Sequence, residues 1–254
     1  MKKYILALCA LCTLPSWAQK YSVTGQAPAD TKKIYLEHLG TRQAPDSVEV
    51  KNGTFHFEGD AQGNTFAFVI TDKKEGLILM LDGNVTVDFK ANKTLGTAEN
   101  EALSLWETRF SPLRNQLRAT TQEYYSYRNS GKQIPDSVKA RIEQVYDNCN
   151  NEMIELTKQC CKENKDKKFP AYYLSQVAPS MEKSTVISLA EEGNSTYMQT
   201  HIMDRVKKYI EGWKRQLPGT MFTDLEMQDV NGKTHKLSEY VGKGKYVLID
   251  FWAS

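Results

Sequence analysis

The sequence predicts an α+β protein, with an antiparallel β sandwich or barrel-like domain first, a helical region in the middle, and the start of a further α/β segment at the end. Three observations carry this reading. Between residues 20 and 90, apolar and polar residues alternate in short runs separated by turn dipeptides. From Thr97 the apolar spacing lengthens to steps of three and four. After Leu217 the pattern returns to short extended runs and closes on one continuous apolar stretch.

Residues 1–18 read as a secretory signal peptide. Lys2 and Lys3 precede an apolar run from Tyr4 to Leu14, and Ser16-Trp17-Ala18 offers small residues at the third and first positions before a cleavage point. The run is about eleven residues, too short to span a bilayer core of roughly 30 Å. No later run reaches the length of a spanning helix, so the expectation is an exported protein without a stable membrane span. The composition agrees with a folded chain: of 254 residues, 40% are hydrophobic and 25% charged, which argues against wholesale disorder. The formal net charge of +2 comes from the two lysines of the signal, so the remainder is neutral and no nucleic acid is expected as a partner.

The β domain is placed at residues 19–96. Ser47–Lys51 and Thr54–Glu58 alternate around Asn52-Gly53, and Leu77–Leu81 and Val85–Phe89 flank Asp82-Gly83. Both are hairpin signals, because Asn-Gly and Asp-Gly accept the positive φ angles of a tight turn. Tyr21–Thr24 and Lys33–Leu39 add two looser strands, and Phe66–Ile70 reads as a central one. About seven short strands of this kind imply a sandwich or open barrel.

The helical region is placed at residues 97–216. Ala102, Trp106, Phe110, Leu113 and Leu117 have helical spacing, with Pro112 expected to break or kink the helix. Tyr124, Tyr125 and Tyr127 are expected to pack at its end. Val138, Ile142, Val145, Cys149, Met153, Leu156 and Cys160 then define one face of a long helix that starts near Pro135-Asp136-Ser137 and ends near Asn164. Cys149 and Cys160 are about 16 Å apart along such a helix, too far for the roughly 7 Å limit of a disulfide. Cys149, Cys160 and Cys161 are therefore expected as buried small hydrophobes, with a redox or intermolecular role as the alternative. Cys9 and Cys12 spell Cys-x-x-Cys but fall inside the signal. Phe169–Ala178 and Tyr197–Gln216 are read as two further helices.

The last segment is placed at residues 217–254. Phe222–Met227 reads as a strand, Asn231-Gly232 as a turn towards Thr234–Leu237, and Ser238-Glu239-Tyr240 as one helical turn. Lys245–Trp252 reads as a strand buried on both faces in a parallel sheet. Such a strand needs a crossover and covering helices, and the sequence given stops two residues later, so a fragment is expected.

Pro218-Gly219, Asp224-Leu225, Asp229, Asn231-Gly232-Lys233, Leu237-Ser238, Gly242-Lys243 and Val247–Ser254 resemble the opening of envelope thioredoxin-like proteins of the TlpA/ResA type. The region before them is similar to the unknown-function module that often precedes such domains. The resemblance implies an incomplete thioredoxin-like α/β start, a Trp-Cys-x-x-Cys motif just after Ser254, and a thiol-disulfide oxidoreductase as the whole protein. It also implies that Asp250 is the buried acid beneath the disulfide, taking up the resolving cysteine's proton, with Trp252 packed nearby. Protein thiols or disulfides and a membrane electron donor are the partners it implies. The chain as given lacks both redox cysteines and is expected to be inactive. The alternatives are a peroxiredoxin-like antioxidant enzyme and a non-enzymatic envelope binding or assembly module. His38, His56, His201 and His235 show no metal-ligand spacing, and no phosphate loop, dinucleotide fingerprint or serine-hydrolase elbow is present, so no metal or cofactor is expected.

Overall fold

Asn52 and Gly53 both adopt the left-handed conformation (φ 52° and 74°), and Lys51 and Thr54 exchange two backbone hydrogen bonds across them at 3.0 Å. The tight turn is therefore where the sequence puts it, but its arms go to different sheets. The computed structural model describes residues 20–250 except 62, 64, 193, 194, 218 and 245. The expected signal peptide, Cys9, Cys12 and Trp252 lie outside the described residues.

Strands β1 (Lys20–Gln26), β2 (Lys33–His38), β3 (Asp46–Glu49), β4 (Thr54–Asp60), β5 (Phe66–Thr71), β6 (Gly76–Met80), β7 (Asn84–Asp88) and β8 (Lys93–Leu95) form two four-stranded sheets. Their orders are β4-β1-β7-β8 and β3-β2-β5-β6. Both turns expected to make simple hairpins, Asn52-Gly53 and Asp82-Gly83, instead carry the chain from one sheet to the other. The neighbouring strands are claimed by better partners: β4 pairs antiparallel with β1 over seven residue pairs, and β7 pairs parallel with β1 from Ser22↔Asn84 to Gln26↔Asp88. The remaining ladders within the two sheets are antiparallel.

Alternation along each strand fills the space between the sheets with Val23, Ile34, Leu36, Phe55, Phe57, Val69, Leu79, Val85 and Val87. The second sheet has a further layer on its outer face. Phe66 and Phe68 of β5 point away from the sandwich and meet Tyr172 at centroid distances of 6.4 and 6.1 Å. That sheet is thus a middle layer, which is why Leu77 to Leu81 are apolar without alternation and are all buried.

Helices α1 (Ala98–Asn129), α2 (Asp136–Glu163), α3 (Pro170–Val177) and α4 (Lys183–Glu191) supply the outer layer. Helix α1 runs through Pro112 without interruption, so the expected break is absent. Its apolar stripe continues on either side, with Phe110 and Leu113 both buried, and the proline removes one intrahelical bond of many. Tyr124 and Tyr125 near its end are 40% and 49% exposed and pack on each other as an edge-on pair at 5.6 Å. Helix α2 follows the expected face, burying Ile142, Cys149 and Cys160. Helix α3 is buried on nearly every side, and Tyr173 stacks on Phe110 with centroids 3.9 Å apart. The stretch expected as one helix over 197–216 divides into two 3-10 turns, Thr196–Gln199 and His201–Met203, followed by α5 (Asp204–Lys214).

The start of α1 is bonded to an edge of each sheet. Gly96, at φ 100°, brings the chain so close to the Asn84 carbonyl that any Cβ would collide with it. Thr97 caps the helix by accepting the Asn100 amide N–H at 3.2 Å and donates its hydroxyl to Asp82 at 2.8 Å. Asn100 is fully buried. Its Oδ1 accepts the Met80 N–H at 2.9 Å, and its Nδ2 donates to the Met80 carbonyl at 3.0 Å and to Asp82 at 2.8 Å. One turn later, Ser104 Oγ accepts the Thr94 N–H at 2.8 Å and donates to the Thr94 carbonyl at 2.7 Å. Met80 lies on β6 and Thr94 on β8, the edge strands of the two sheets.

The described residues divide into two compact units, one through Lys207 and one from Lys208. The β sandwich and helices α1 to α4 belong to the first; there is no separation at residues 96 and 97. In the second, β9 (Glu226–Gln228) and β10 (Thr234–Lys236) form an antiparallel hairpin, closed by a turn with Gly232 at φ 78°. A 3-10 turn, Leu237–Glu239, follows.

Replacing Asn100 by Ala leaves the Met80 N–H and carbonyl buried without partners, and each such loss costs about 1–3 kcal/mol. Asn100→Ala is expected to lower the free energy of unfolding by about 2–4 kcal/mol in urea titrations. Thr108→Ala, on the exposed face of the same helix, is expected to change it by less than about 0.5 kcal/mol.

Candidate functional site

Among the described residues, the groups relevant to chemistry include the buried thiols, the C-terminal segment around Asp250, and a polar cavity beside α1. The thiols are unsuited to exchange. Cys149, Cys160 and Cys161 are all free and buried, with Cys160 and Cys161 fully inaccessible. Burial pushes the Cys161 thiol up to about 12 and raises that of Cys160 further, with Cys161 and Glu163 adding to it. Burial, with Glu152, also raises Cys149, whose Sγ donates to Gln116 Oε1 at 3.4 Å. A nucleophilic cysteine needs its thiolate and access to solvent, and these have neither. At about pH 8, iodoacetamide is expected to leave all three unmodified in the folded protein and to label all three in concentrated guanidinium chloride, as counted by mass spectrometry. Rapid labelling of a native thiol would restore the redox alternative.

Asp250 lies at the end of residues 246–250, which adopt no strand and are exposed. The burial expected of Asp250 is therefore absent here, and so is the double-sided burial expected of the apolar run: Tyr246 is 97% exposed and Leu248 94%. An inner parallel strand needs a ladder on each side, and among the described residues no strand pairs with this one. What the second unit does contain is a set of short local bonds. The Asp224 carboxylate accepts the Ser238 N–H at 2.7 Å and its hydroxyl at 2.8 Å, which holds it below the usual carboxylate range. Asp229 accepts the N–H groups of Asn231 and Lys233, each at 2.9 Å, and is lowered for the same reason.

The polar cavity is the site that sequence reading missed. It encloses about 310 Å³ between α1, the β6 and β8 edges and α3, with Glu107, Arg114 and Tyr172 among its lining residues. Glu107 and Arg114, seven residues apart and so two turns along α1, form an ion pair in which Arg114 Nη2 donates to Glu107 Oε2. Tyr173 donates its hydroxyl to the other oxygen, Oε1, at 2.8 Å. Both charged side chains are largely covered, at 23% exposure for Arg114 and 14% for Glu107. Arg114 Nη1 is buried and has no hydrogen-bond partner among the described residues. The signal for this site in the sequence is slight: an acid and a base on one helical face, a pattern that surface helices share. A larger and more open cleft of about 970 Å³ lies at one end of the sandwich, over Phe55 and Phe89. No buried unpartnered polar atom lines it among the described residues.

Burial raises the Glu107 carboxyl above its ordinary 4.5, against the lowering effects of Arg114 and of the Tyr173 hydroxyl. An acid raised in the folded state holds its proton more tightly there than when unfolded. Its stabilising contribution is full below the unfolded value and is lost as the pH rises through the folded one. The stability of the native chain relative to Glu107→Gln is therefore expected to fall as the pH is raised from below 4.5 towards neutrality, measured by urea unfolding at each pH. A relative stability that climbs over this window would contradict the assignment.

Each of the four histidines has an acidic neighbour of its own, His201 lying 3.8 Å from Asp204. His38 meets Asp46 at 3.0 Å, His56 lies beside Glu58 at 3.4 Å, and His235 stands between Asp229 and Glu239. No helix among the described residues is long and apolar enough to cross a membrane.

Residues 21–103 match the family model of a domain of unknown function, DUF4369. The match covers the eight strands of the sandwich and the first turn and a half of α1, including Asn100. Its description assigns no activity. No curated protein and no solved structure matches this chain.

Proposed function

We propose that the chain is the non-catalytic front portion of an exported thioredoxin-like thiol-disulfide oxidoreductase of the cell envelope. The observation that carries this reading is the run of motifs from Pro218 to Ser254. The hairpin β9–β10 and the 3-10 turn after it, at residues 226–239, lie within that run and support the reading. The inaccessible thiols support the second half of the reading: disulfide exchange belongs to cysteines other than Cys149, Cys160 and Cys161. In the complete protein, Asp250 is the acid beneath the disulfide and Trp252 packs beside the redox motif. Protein thiols or disulfides are the substrates and a membrane donor supplies electrons.

The test is the natural gene product. Its reading frame is expected to continue from Ser254 into Trp-Cys-x-x-Cys, and the mature protein, beginning at Gln19, to reduce insulin disulfides with dithiothreitol as electron source. Residues 19–254 alone are expected to give only the uncatalysed rate. A frame that continues without the cysteine pair, or insulin reduction by residues 19–254, would overturn the reading.

A further inference from the structure

We propose that the open edge of β4 binds an extended, cationic segment of another protein as an added strand. The edges of the two sheets are not treated alike. Asn100 and Ser104 bond to the β6 and β8 edges, and β3 is only four residues long and follows Pro45. Short strands and proline are devices that blunt an edge against further pairing. Strand β4 has neither: it is seven residues long, pairs with β1 without a bulge, and contains no proline or lysine. Among the described residues no strand pairs with its other side. The ladder with β1 fixes which backbone groups are open there. Ala27 N–H donates to the Gly53 carbonyl at 2.8 Å on the β1 side, and Thr54 bonds Lys51 on the opposite side. Bonded residues alternate along an antiparallel pair. Phe55, Phe57 and Gly59 therefore turn their backbone groups to β1, and His56, Glu58 and Asp60 turn theirs outward. Such a row is what an incoming strand needs.

The side chains of that edge select the occupant. His56, Glu58 and Asp60 are all exposed, on the outer face of the sheet. Asp60 has Lys20 opposite it on β1, whereas Glu58 has Ser22, and the Glu58 side chain is 81% exposed. The acid without a cation opposite it thus stands in the middle of the open row, beside His56 at 3.4 Å. A lysine or arginine at the paired position of an added strand supplies that cation, and opposite charges across a ladder stabilise it. The alternate residues of the added strand point to the other face. They lie towards the cleft of about 420 Å³ where β3 and β4 part, with Val48 and Phe55 in its lining and Glu49 and Lys51 offsetting each other in charge. Apolar side chains suit those positions. A second copy of this chain fits less well. Pairing β4 antiparallel with itself about Glu58 sets Glu58 against Glu58, and pairing about Gly59 sets it against Asp60. Pairing about Phe57 carries the second copy's Asp60 into Lys51, which already occupies the outward side of Thr54. The ligand is a short strand of alternating basic and apolar residues.

The experiment titrates the isotope-labelled mature chain with the pentapeptide Lys-Val-Lys-Val-Lys, blocked at both ends, and follows amide resonances by NMR. Saturable shifts centred on the His56 and Glu58 amides are expected. Methylating the backbone nitrogens of the three lysines, which face β4 in the paired strand, is expected to weaken binding at least about tenfold, a difference of about 1.4 kcal/mol. Methylating the two valine nitrogens, which face away, is expected to leave the affinity within about twofold. The acidic peptide Glu-Val-Glu-Val-Glu is expected to bind at least about tenfold more weakly than the basic one. Glu58→Lys, at an exposed position that leaves the fold intact by circular dichroism, is expected to weaken the basic peptide about fivefold and to strengthen the acidic one. Equal binding of the lysine-methylated or the acidic peptide, an unchanged affinity in Glu58→Lys, or no saturable shift at His56 and Glu58 would each overturn the proposal. So would a dimer of the chain alone that protects the His56 and Glu58 amides from exchange, since the occupant would then be a second copy. None of these outcomes depends on a redox motif, so they leave the oxidoreductase reading untouched.

Discussion

A buried carboxamide and a buried hydroxyl, one helical turn apart, tie the two halves of the first unit together. Asn100 pairs with both backbone groups of Met80, and Ser104 pairs with both backbone groups of Thr94. Each does for an edge strand what another strand would do: it supplies one acceptor and one donor to one residue's free N–H and C=O. Open sheet edges leave such groups unpaired, and burying them without partners is costly. With one side chain bonded to each sheet, α1 closes the open side of the sandwich at β6 and β8. Asp82 and Thr97 surround the carboxamide so that its second donor bond is also used, and the burial of Asp82 raises its carboxyl.

The rest of the outer layer is positioned from this helix. Glu99, beside Asn100, accepts the backbone N–H groups of Lys168 and Phe169 at 3.0–3.1 Å. A carboxylate in that position satisfies orphan donors at the start of α3 and complements its dipole. Helix α3 is thereby set with Tyr172 against Phe66 and Phe68, and Tyr173 against Phe110. Tyr173 in turn reaches Glu107, which holds Arg114. The cavity and its unpartnered guanidinium nitrogen thus follow from the same helix that closes the sheets.

The parts of this arrangement that were legible in the sequence are those carried by apolar periodicity and turn chemistry. Val138 to Cys160 marked the buried face of α2, Phe66 to Ile70 marked a central strand, and Asn52-Gly53 marked a tight turn. Where the strands go after a turn was not legible, because Asn-Gly fixes the local backbone angles but the ladder is set by distant partners such as β1. The same reason hid the short strand β8, whose three residues carry no period. Asn100, Ser104, Glu107 and Arg114 were not legible either. They are polar residues on a helix with an apolar stripe, and only the fold shows that they face backbone groups or a cavity instead of water. At the other end, the residues around Asp250 carry a resemblance more specific than any structure found there. The bonds of Asp224 and Asp229 are local, and among the described residues no strand pairs with residues 246–250.

Bonded through α1 to an edge of each sheet, the sandwich and the helical layer of the first unit are expected to unfold as one cooperative body. Native-state hydrogen exchange followed against urea tests it most directly. The amides of Met80 and Thr94, on the sheet edges, are expected to exchange with the same free energy and the same urea dependence as those of α1 and of the inner strand β5. Loss of protection of α1 in a separate, lower-energy opening, with the edge amides of Met80 and Thr94 keeping theirs, would show that the two layers are independent and contradict a single cooperative body.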